Sequence, residues 1–255
     1  MKKKILFILM AMSLFIFGKD NAVNVESHIK NVTAITEVFG EGQKTTAVIL
    51  EYDNQINRNT ISTSTFAVDG RTITKIYVNK LAEKSDKSVD GQYVIIELSK
   101  DDVNASTLSQ TKPNENGTAN AIQETMGPPA TMPELKITPP KLNVTQIKDI
   151  KTINGKVYKS NTNVMVNNKV KNLIVDDFLK LEYKDPINGN ILKYNLYVPK
   201  NYNKNKSYPL VLFIHDAGNV SNNSDVTLIQ GLGAVSFASP SDQAKHESFV
   251  LAPQY

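Results

Sequence analysis

An unbroken apolar segment near the end of the sequence places the strongest limit on how this chain can fold. Residues 210–214 read LVLFI, a pattern typical of a parallel strand that is buried on both faces. A polar segment, HDAG, follows directly at residues 215–218. Open α/β sheets bind their ligands in loops at the carboxyl ends of such strands. This loop is therefore the best candidate for a functional site.

The residues that follow predict a strand, loop, helix and strand in succession. Ser239 has the character of a helix N-cap, Pro240 of a first helical residue and Asp242 of the acid that closes a capping box. These residues predict a short helix that continues to Lys245. Residues 249–252 (FVLA) predict a second buried strand, which the next proline ends. A connection of this length favours parallel pairing of the two strands.

This segment resembles secreted α/β-hydrolase esterases of the polyhydroxybutyrate-depolymerase and prolyl-oligopeptidase-like branch. In that family a strand ends in His-Gly-x-Gly, and the loop supplies the amides of the oxyanion hole. The corresponding loop here consists of His215, Asp216, Ala217 and Gly218. The resemblance implies that His215 fixes the loop and transfers no proton; a purely structural histidine is the alternative. Asp216 departs from the family's glycine, and its carboxylate must point away because it would oppose a developing oxyanion.

The catalytic triad of that family cannot be completed in this sequence. It requires a Gly-x-Ser-x-Gly nucleophile elbow, followed in chain order by an acid and a histidine, and no such pentapeptide occurs in the 255 residues. The histidines are His28, His215 and His246, and none follows a candidate elbow. We therefore expect no catalytic residue in this chain. Residues 172–255 are expected to form only the N-terminal part of an α/β-hydrolase sheet.

The N terminus predicts export. Three lysines precede an apolar run at residues 5–17, the layout of a signal peptide and too short to span a bilayer comfortably. We expect a signal peptide at residues 1–18, a periplasmic or extracellular location, and no stable membrane span after cleavage. An uncleaved anchor is the alternative. The remaining basic residues exceed the 25 acidic ones by one, and no basic stripe with interleaved aromatics indicates nucleic-acid binding.

Composition also limits the available chemistry. The chain contains no cysteine, which excludes disulfides, thiol catalysis and thiolate metal sites. The sequence contains no H-E-x-x-H motif, no Walker A pattern and no complete dinucleotide fingerprint. We predict neither a metal nor a cofactor.

The first part of the chain predicts an antiparallel β-sandwich of immunoglobulin-like type over residues 25–106. Segments rich in β-branched and aromatic residues alternate with turn signals such as Asp69-Gly70 and Asp90-Gly91. The predicted strands are residues 32–39, 45–52, 61–68, 71–79 and 92–98. Segments such as AITEVFGEGQKTTAVILEYD and TFAVDGRTITKIYVN resemble the immunoglobulin-like domain that precedes the hydrolase in some of these esterases. The resemblance implies that this domain braces the catalytic domain or shapes access to its pocket. A free-standing binding role is the alternative.

Two further segments separate this sandwich from the predicted hydrolase sheet. Residues 107–140 contain six of the eleven prolines and predict an exposed, weakly ordered linker. Residues 141–171 predict a hairpin whose membership, sandwich or connection, the sequence leaves open. Strands at 178–183 and 191–198, around a Pro- and Gly-containing turn, are expected to begin the hydrolase sheet.

The sequence as a whole predicts the N-terminal portion of an exported serine carboxylic-ester hydrolase, inactive by itself. The complete enzyme would act on a small ester or a polyester. A non-catalytic extracellular binding or adhesion module and a fragment of a prolyl-oligopeptidase-like serine peptidase are the alternatives. We also expect an uncovered sheet edge and an uncovered apolar face, and hence poor solubility. The oligomeric state is not predicted.

Overall fold

The computed structural model describes residues 28–110, 135–216, 219 and 221–255. The predicted signal peptide lies outside these residues, and so does most of the predicted proline-rich linker. No helix in the described ranges is long and apolar enough to cross a membrane. The described chain is mostly β-strand, and it forms a sandwich followed by a smaller C-terminal sheet.

In the part of the chain that the structure describes, twelve strands build the sandwich module. Two of its sheets pack against each other, one with five strands in the order β12-β1-β2-β5-β4 and one with three in the order β11-β8-β3. Pairing in both sheets is antiparallel except between β1 and β12. The strands are β1 (Ile29–Phe39), β2 (Gly42–Ile56), β3 (Phe66–Val68), β4 (Ile73–Asn79), β5 (Gly91–Leu98), β6 (Leu108–Gln110), β7 (Leu135–Ile137), β8 (Asn143–Gln146), β9 (Ile150–Lys151), β10 (Val157–Tyr158), β11 (Met165–Val166) and β12 (Lys169–Asn172).

The core of the sandwich follows from the alternation of side chains along its strands. Leu50 and Ile96 of the five-stranded sheet and Val144 of the three-stranded sheet are completely buried in one shared cluster. Burial of each such side chain stabilises the fold by about 2 kcal/mol. The opposite face of the five-stranded sheet is also buried at Ile49 and Ile95.

One predicted strand is shorter than expected. Residues 61–68 predicted a strand, but only Phe66–Val68 forms one. The preceding residues form a turn in which the Ser62 N–H donates to Thr65 Oγ1, at 2.9 Å, and the Thr65 N–H donates to the Ser62 carbonyl. Short hydroxyl side chains compete in this way with the hydrogen bonds of a ladder.

The segments between the predicted domains contribute strands to the sandwich. β6 and β7 pair with each other at the two ends of the predicted linker, and both ends are thus ordered. The hairpin of β9 and β10 turns at Gly155, and its residues Ile150 and Tyr158 are buried in the sandwich core. The segment whose membership the sequence left open therefore packs with the sandwich.

The C-terminal sheet has the strand order β13-β14-β16-β15. β13 and β14 form the predicted hairpin, and β15 and β16 pair in parallel as predicted. The helices between β15 and β16 are only four or five residues long and pack on one face of the sheet. The elements are β13 (Phe178–Lys184), β14 (Ile191–Tyr197), β15 (Leu210–Leu212), α1 (Asp225–Ile229), α2 (Gly233–Phe237), α3 (Pro240–Gln243) and β16 (Phe249–Gln254).

The prediction that residues 210–214 are buried on both faces is wrong. Leu210, Leu212 and Ile214 are 60%, 54% and 59% exposed, and only Val211 and Phe213 pack against the C-terminal core. The physical reason is position, because β15 is the edge strand of the described sheet and the helices cover one face only. The strand also ends earlier than predicted, at Leu212.

The face of the C-terminal sheet opposite the helices is apolar throughout. The pairing register places the side chains of one parity together on it, since neighbours along a strand point to opposite faces. We call it the outer sheet face. Its members are Leu179, Leu181, Tyr183, Leu192, Tyr194, Leu196, Leu210, Leu212, Phe249, Leu251 and Pro253.

Candidate functional site

The predicted site lies where β15 and β16 both end. His215 and Asp216 follow β15, and Gln254 and Tyr255 stand at the end of β16. Parallel strands bring their carboxyl ends to the same edge of a sheet, so residues from two distant parts of the sequence meet here. Ala217 and Gly218, the other two predicted loop residues, lie outside the described residues.

His215 is buried, with 3% of its surface exposed. Its Nδ1 lies 2.8 Å from the Asp216 carbonyl oxygen. Its Nε2 lies 3.2 Å from Gln254 Nε2 and 3.3 Å from the Tyr255 backbone nitrogen. Both ring nitrogens are therefore engaged, and the ring has no free nitrogen with which to take a proton from a nucleophile.

Gln254 connects this loop to helix α1. Its Nε2 donates to the Asn219 carbonyl oxygen at 2.8 Å, and its Oε1 accepts from Thr227 Oγ1 at 2.6 Å and from the Thr227 N–H at 3.1 Å. Thr227 is completely buried and Gln254 nearly so. A buried amide with all of its polar atoms bonded is rigid, because breaking any of these bonds leaves an unsatisfied group.

Tyr255 holds the other side of His215. The two rings stack with centroids 4.1 Å apart at an interplanar angle of 22°. The Tyr255 hydroxyl donates to the His215 carbonyl oxygen at 2.9 Å. The histidine is thus held through its ring edge, its ring face and its backbone.

The Asp216 side chain is exposed at the start of the loop. Its carboxylate accepts a hydrogen bond from the Asn219 side-chain amide. Asn219 is therefore a partner for the negative charge of Asp216, which lies beside the expected oxyanion amides.

The other two histidines, and the adjacent acids Asp176 and Asp177, lie away from this loop. His28 bonds to Asp53 in the sandwich, and His246 bonds to Asp242 at the end of α3. Asp176 accepts from the Asn172 backbone and side chain, which is a structural role. In the described ranges, no three His, Asp or Glu side chains lie close enough to hold a metal ion.

A cavity of about 650 Å³ lies between the sandwich and the C-terminal helices. Ile35 and Ile49 of the sandwich and Val235 of α2 form part of its apolar wall. His215 does not line it. The described residues of the predicted loop, His215 and Asp216, therefore lie outside this cavity.

A family model, the esterase Ig-like N-terminal domain, matches residues 31–159, just over half of the chain. The chain belongs to this family. The esterase Ig-like domain accordingly covers β1 to β10, including the hairpin of β9 and β10. The predicted immunoglobulin-like type of this domain is confirmed.

A solved structure described as a thermostable esterase is similar to a larger part of the chain. Its TM-score is 0.73 at 33% sequence identity, over 88% of this chain and 57% of that chain. This chain thus spans little more than half the length of that esterase. No curated protein matches.

Sequence reasoning found the loop but missed the residues that hold it. Thr227, Gln254 and Tyr255 carry no motif, and Gln254 and Tyr255 are 39 and 40 positions from their partner His215 in the sequence. The one available signal is a glutamine directly after a buried-strand pattern, where a polar side chain requires a partner.

Proposed function

We propose that this chain is the N-terminal portion of an exported serine carboxylic-ester hydrolase, in which the sandwich precedes an α/β-hydrolase catalytic domain. The similarity to the thermostable esterase carries this proposal. An alignment over 88% of the chain extends past the sandwich, which ends at Asn172, into the C-terminal sheet. The parallel pair of β15 and β16, joined through helices and ending at a polar loop, supports the same assignment.

In the complete protein we propose an acyl transfer to serine. A serine hydroxyl would attack the ester carbonyl while a histidine accepts its proton, and backbone amides of the loop at Asp216–Ala217 would stabilise the oxyanion. The ester C–O bond would then break, the alcohol would leave with the proton from the histidine, and water would hydrolyse the acyl-serine. His215 would act as the anchor of that loop, since both of its ring nitrogens are bonded. Serine and proton-accepting histidine would come from residues outside this sequence, which contains no nucleophile elbow.

The substrate and the location are part of the same proposal. A small ester or a polyester is the proposed substrate, and the periplasm or the extracellular space is the proposed location. An ester substrate is preferred to a peptide because the family and the solved structure are both described as esterases.

Ester hydrolysis by the polypeptide of the complete reading frame tests the proposal. We expect that polypeptide to hydrolyse short p-nitrophenyl esters faster than peptide amides, and the 255-residue chain to hydrolyse neither. A variant with the elbow serine changed to alanine is the control. Hydrolysis of peptide amides alone would contradict the ester assignment. A reading frame that stops at Tyr255 would favour a non-catalytic binding module, and robust hydrolysis by the 255-residue chain would contradict its proposed inactivity.

A further inference from the structure

We propose that Gln254 is a positioning residue that stabilises one tautomer of His215 and thereby the backbone of Asp216, at the start of the loop after β15. The inference rests on the proposed function, because it assigns the loop a catalytic purpose. Its structural basis is independent of that function, and it consists of the hydrogen bonds that converge on Gln254.

Two backbone groups decide which ring nitrogen of His215 carries the proton. A carbonyl oxygen can only accept, so the 2.8 Å contact with the Asp216 carbonyl requires a proton on Nδ1. A backbone N–H can only donate, so the Tyr255 N–H at 3.3 Å requires that Nε2 accepts. His215 is therefore the neutral tautomer with its proton on Nδ1.

The orientation of the Gln254 amide follows in the same way. The Thr227 N–H can only donate, and it faces Oε1 at 3.1 Å. The Asn219 carbonyl can only accept, and it faces Nε2 at 2.8 Å. The second amide hydrogen lies within reach of His215 Nε2, at 3.2 Å, and of the Tyr255 carbonyl oxygen, at 3.4 Å. The shorter of these contacts supports the same tautomer that the backbone groups require.

The tautomer matters for the loop because of the geometry of the peptide bond. With a proton on Nδ1, His215 donates to the Asp216 carbonyl and holds it in place. In a trans peptide the carbonyl and the following N–H point in opposite directions. A bond that fixes this carbonyl therefore restricts the backbone at Asp216, where the proposed oxyanion loop begins, and an oxyanion site depends on the direction of its donors.

Histidine nitrogen spectra test the structural half of the inference. The 255-residue chain, labelled with ¹⁵N-histidine, should show His215 with a protonated Nδ1 and an unprotonated Nε2 at neutral pH. Gln254→Glu keeps the shape but replaces the amide donor by a carboxylate, which favours a proton on Nε2 as well. We expect this variant to protonate both nitrogens. An unchanged His215 spectrum in this variant, or a proton on Nε2 in the wild type, would overturn the inference.

Gln243→Leu is the matched control. Gln243 is a second half-buried glutamine in the same module, and its amide bonds to Phe237 and Ser248 instead of His215. This substitution removes a comparable set of hydrogen bonds. The His215 spectrum should stay that of the wild type, and a change equal to that in Gln254→Glu would point to general loosening of the module.

Kinetics of the complete polypeptide test the catalytic half. Gln254→Leu should lower kcat for a p-nitrophenyl ester about 10- to 100-fold, somewhat less than loss of an oxyanion donor itself, and change KM less than about 2-fold. Gln243→Leu should retain kcat. An active wild type with an unaffected Gln254→Leu variant would overturn the positioning role alone. An inactive wild type with the expected spectra would overturn the proposed function and, with it, the catalytic half of the inference, while the hydrogen-bond assignment stands.

Discussion

At the scale of single residues, two identical side chains that are adjacent in the sequence can have very different surroundings. Asp101 and Asp102 are adjacent acids, yet Asp101 is exposed while Asp102 binds the buried Arg71. Arg71 donates through Nε to Asp102 at 2.9 Å and through a second nitrogen to the Thr45 and Ser99 carbonyls. Its guanidinium depends on Asp102 for charge compensation, because a buried unpaired charge is strongly unfavourable.

Asp102→Asn is therefore expected to destabilise the chain by about 2 kcal/mol at pH 7, since it removes a charged hydrogen bond from a buried guanidinium. Burial raises the pKa of Asp102, but hydrogen bonds from the Thr72 backbone and Arg71 outweigh it and hold that pKa below its usual value. A depressed pKa contributes stability that is present above about pH 4 and is lost as the pH falls through the folded-state value. Urea unfolding at several pH values should show the difference from wild type shrinking below pH 4.

Asp101→Asn controls for the loss of one acid at the same place in the chain. Asp101 pairs with Lys100 at the surface, and such pairs contribute little. The unfolding midpoint of the Asp101→Asn variant should match that of the wild type. Equal destabilisation by both variants, or a pH-independent effect of Asp102→Asn, would contradict the importance of the Arg71 pair.

At the scale of elements, β15 shows how position in a sheet decides what an apolar sequence does. All five residues of LVLFI are apolar, but only Val211 and Phe213 pack against the C-terminal core. Leu210, Leu212 and Ile214 lie exposed, and the first two belong to the outer sheet face. An exposed apolar face next to an open strand edge favours association between molecules.

Substitutions at two adjacent residues of β15 are expected to change two different properties, self-association and stability. Leu212→Glu places a charge on the exposed outer sheet face, so it should reduce self-association and leave the unfolding midpoint close to that of the wild type. Val211→Glu places the carboxylate against the helices and should destabilise the chain by about 3 kcal/mol. Light scattering after gel filtration measures the first effect, and urea unfolding the second. A greater loss of stability in Leu212→Glu would show that the strand faces the other way.

At the scale of the whole molecule, the two modules share one apolar cluster. Val38, Leu108 and Ile137 of the sandwich pack against the core that the C-terminal helices form with their sheet. Gly42, at the start of β2, lies at this contact. A side chain built there would meet Leu108 Cδ1 at 2.8 Å and the Ile229 carbonyl oxygen at 3.5 Å.

Gly42→Ala is expected to weaken the contact between the modules. Gly42 has φ +106°, which costs an alanine about 1 kcal/mol. The crowding at Leu108 adds up to about 1 kcal/mol, because the end of the leucine side chain can shift. Gly155→Ala is the matched control, since Gly155 has φ +81° but open space around it. This variant should therefore lose only the free energy that the backbone conformation costs an alanine. Urea unfolding measures both costs, and hydrogen exchange in α1 should rise only in Gly42→Ala. Equal costs in the two variants would indicate that the contact does not constrain Gly42.

The sequence by itself determined the types of the elements and the place of the candidate site. Alternation, turn residues and the Ser239-Pro240 start of α3 are local signals, and they led to the place of each predicted strand, though not always to its length, and to the N-cap at Ser239. Such signals act through backbone dihedrals and short-range hydrogen bonds, which need no distant partner. For the same reason they led to the site loop but not to the residues around it.

Only the tertiary structure decided which faces are buried and what holds His215. Burial depends on what packs across a strand, so an apolar run became a half-exposed edge. Gln254 and His215 are 39 positions apart, and no local pattern relates them. The same holds for Asp102 and Arg71, 31 positions apart. Hydrogen-bond partners of buried polar groups are chosen by the packing of whole elements, and that choice is made only when the chain has folded.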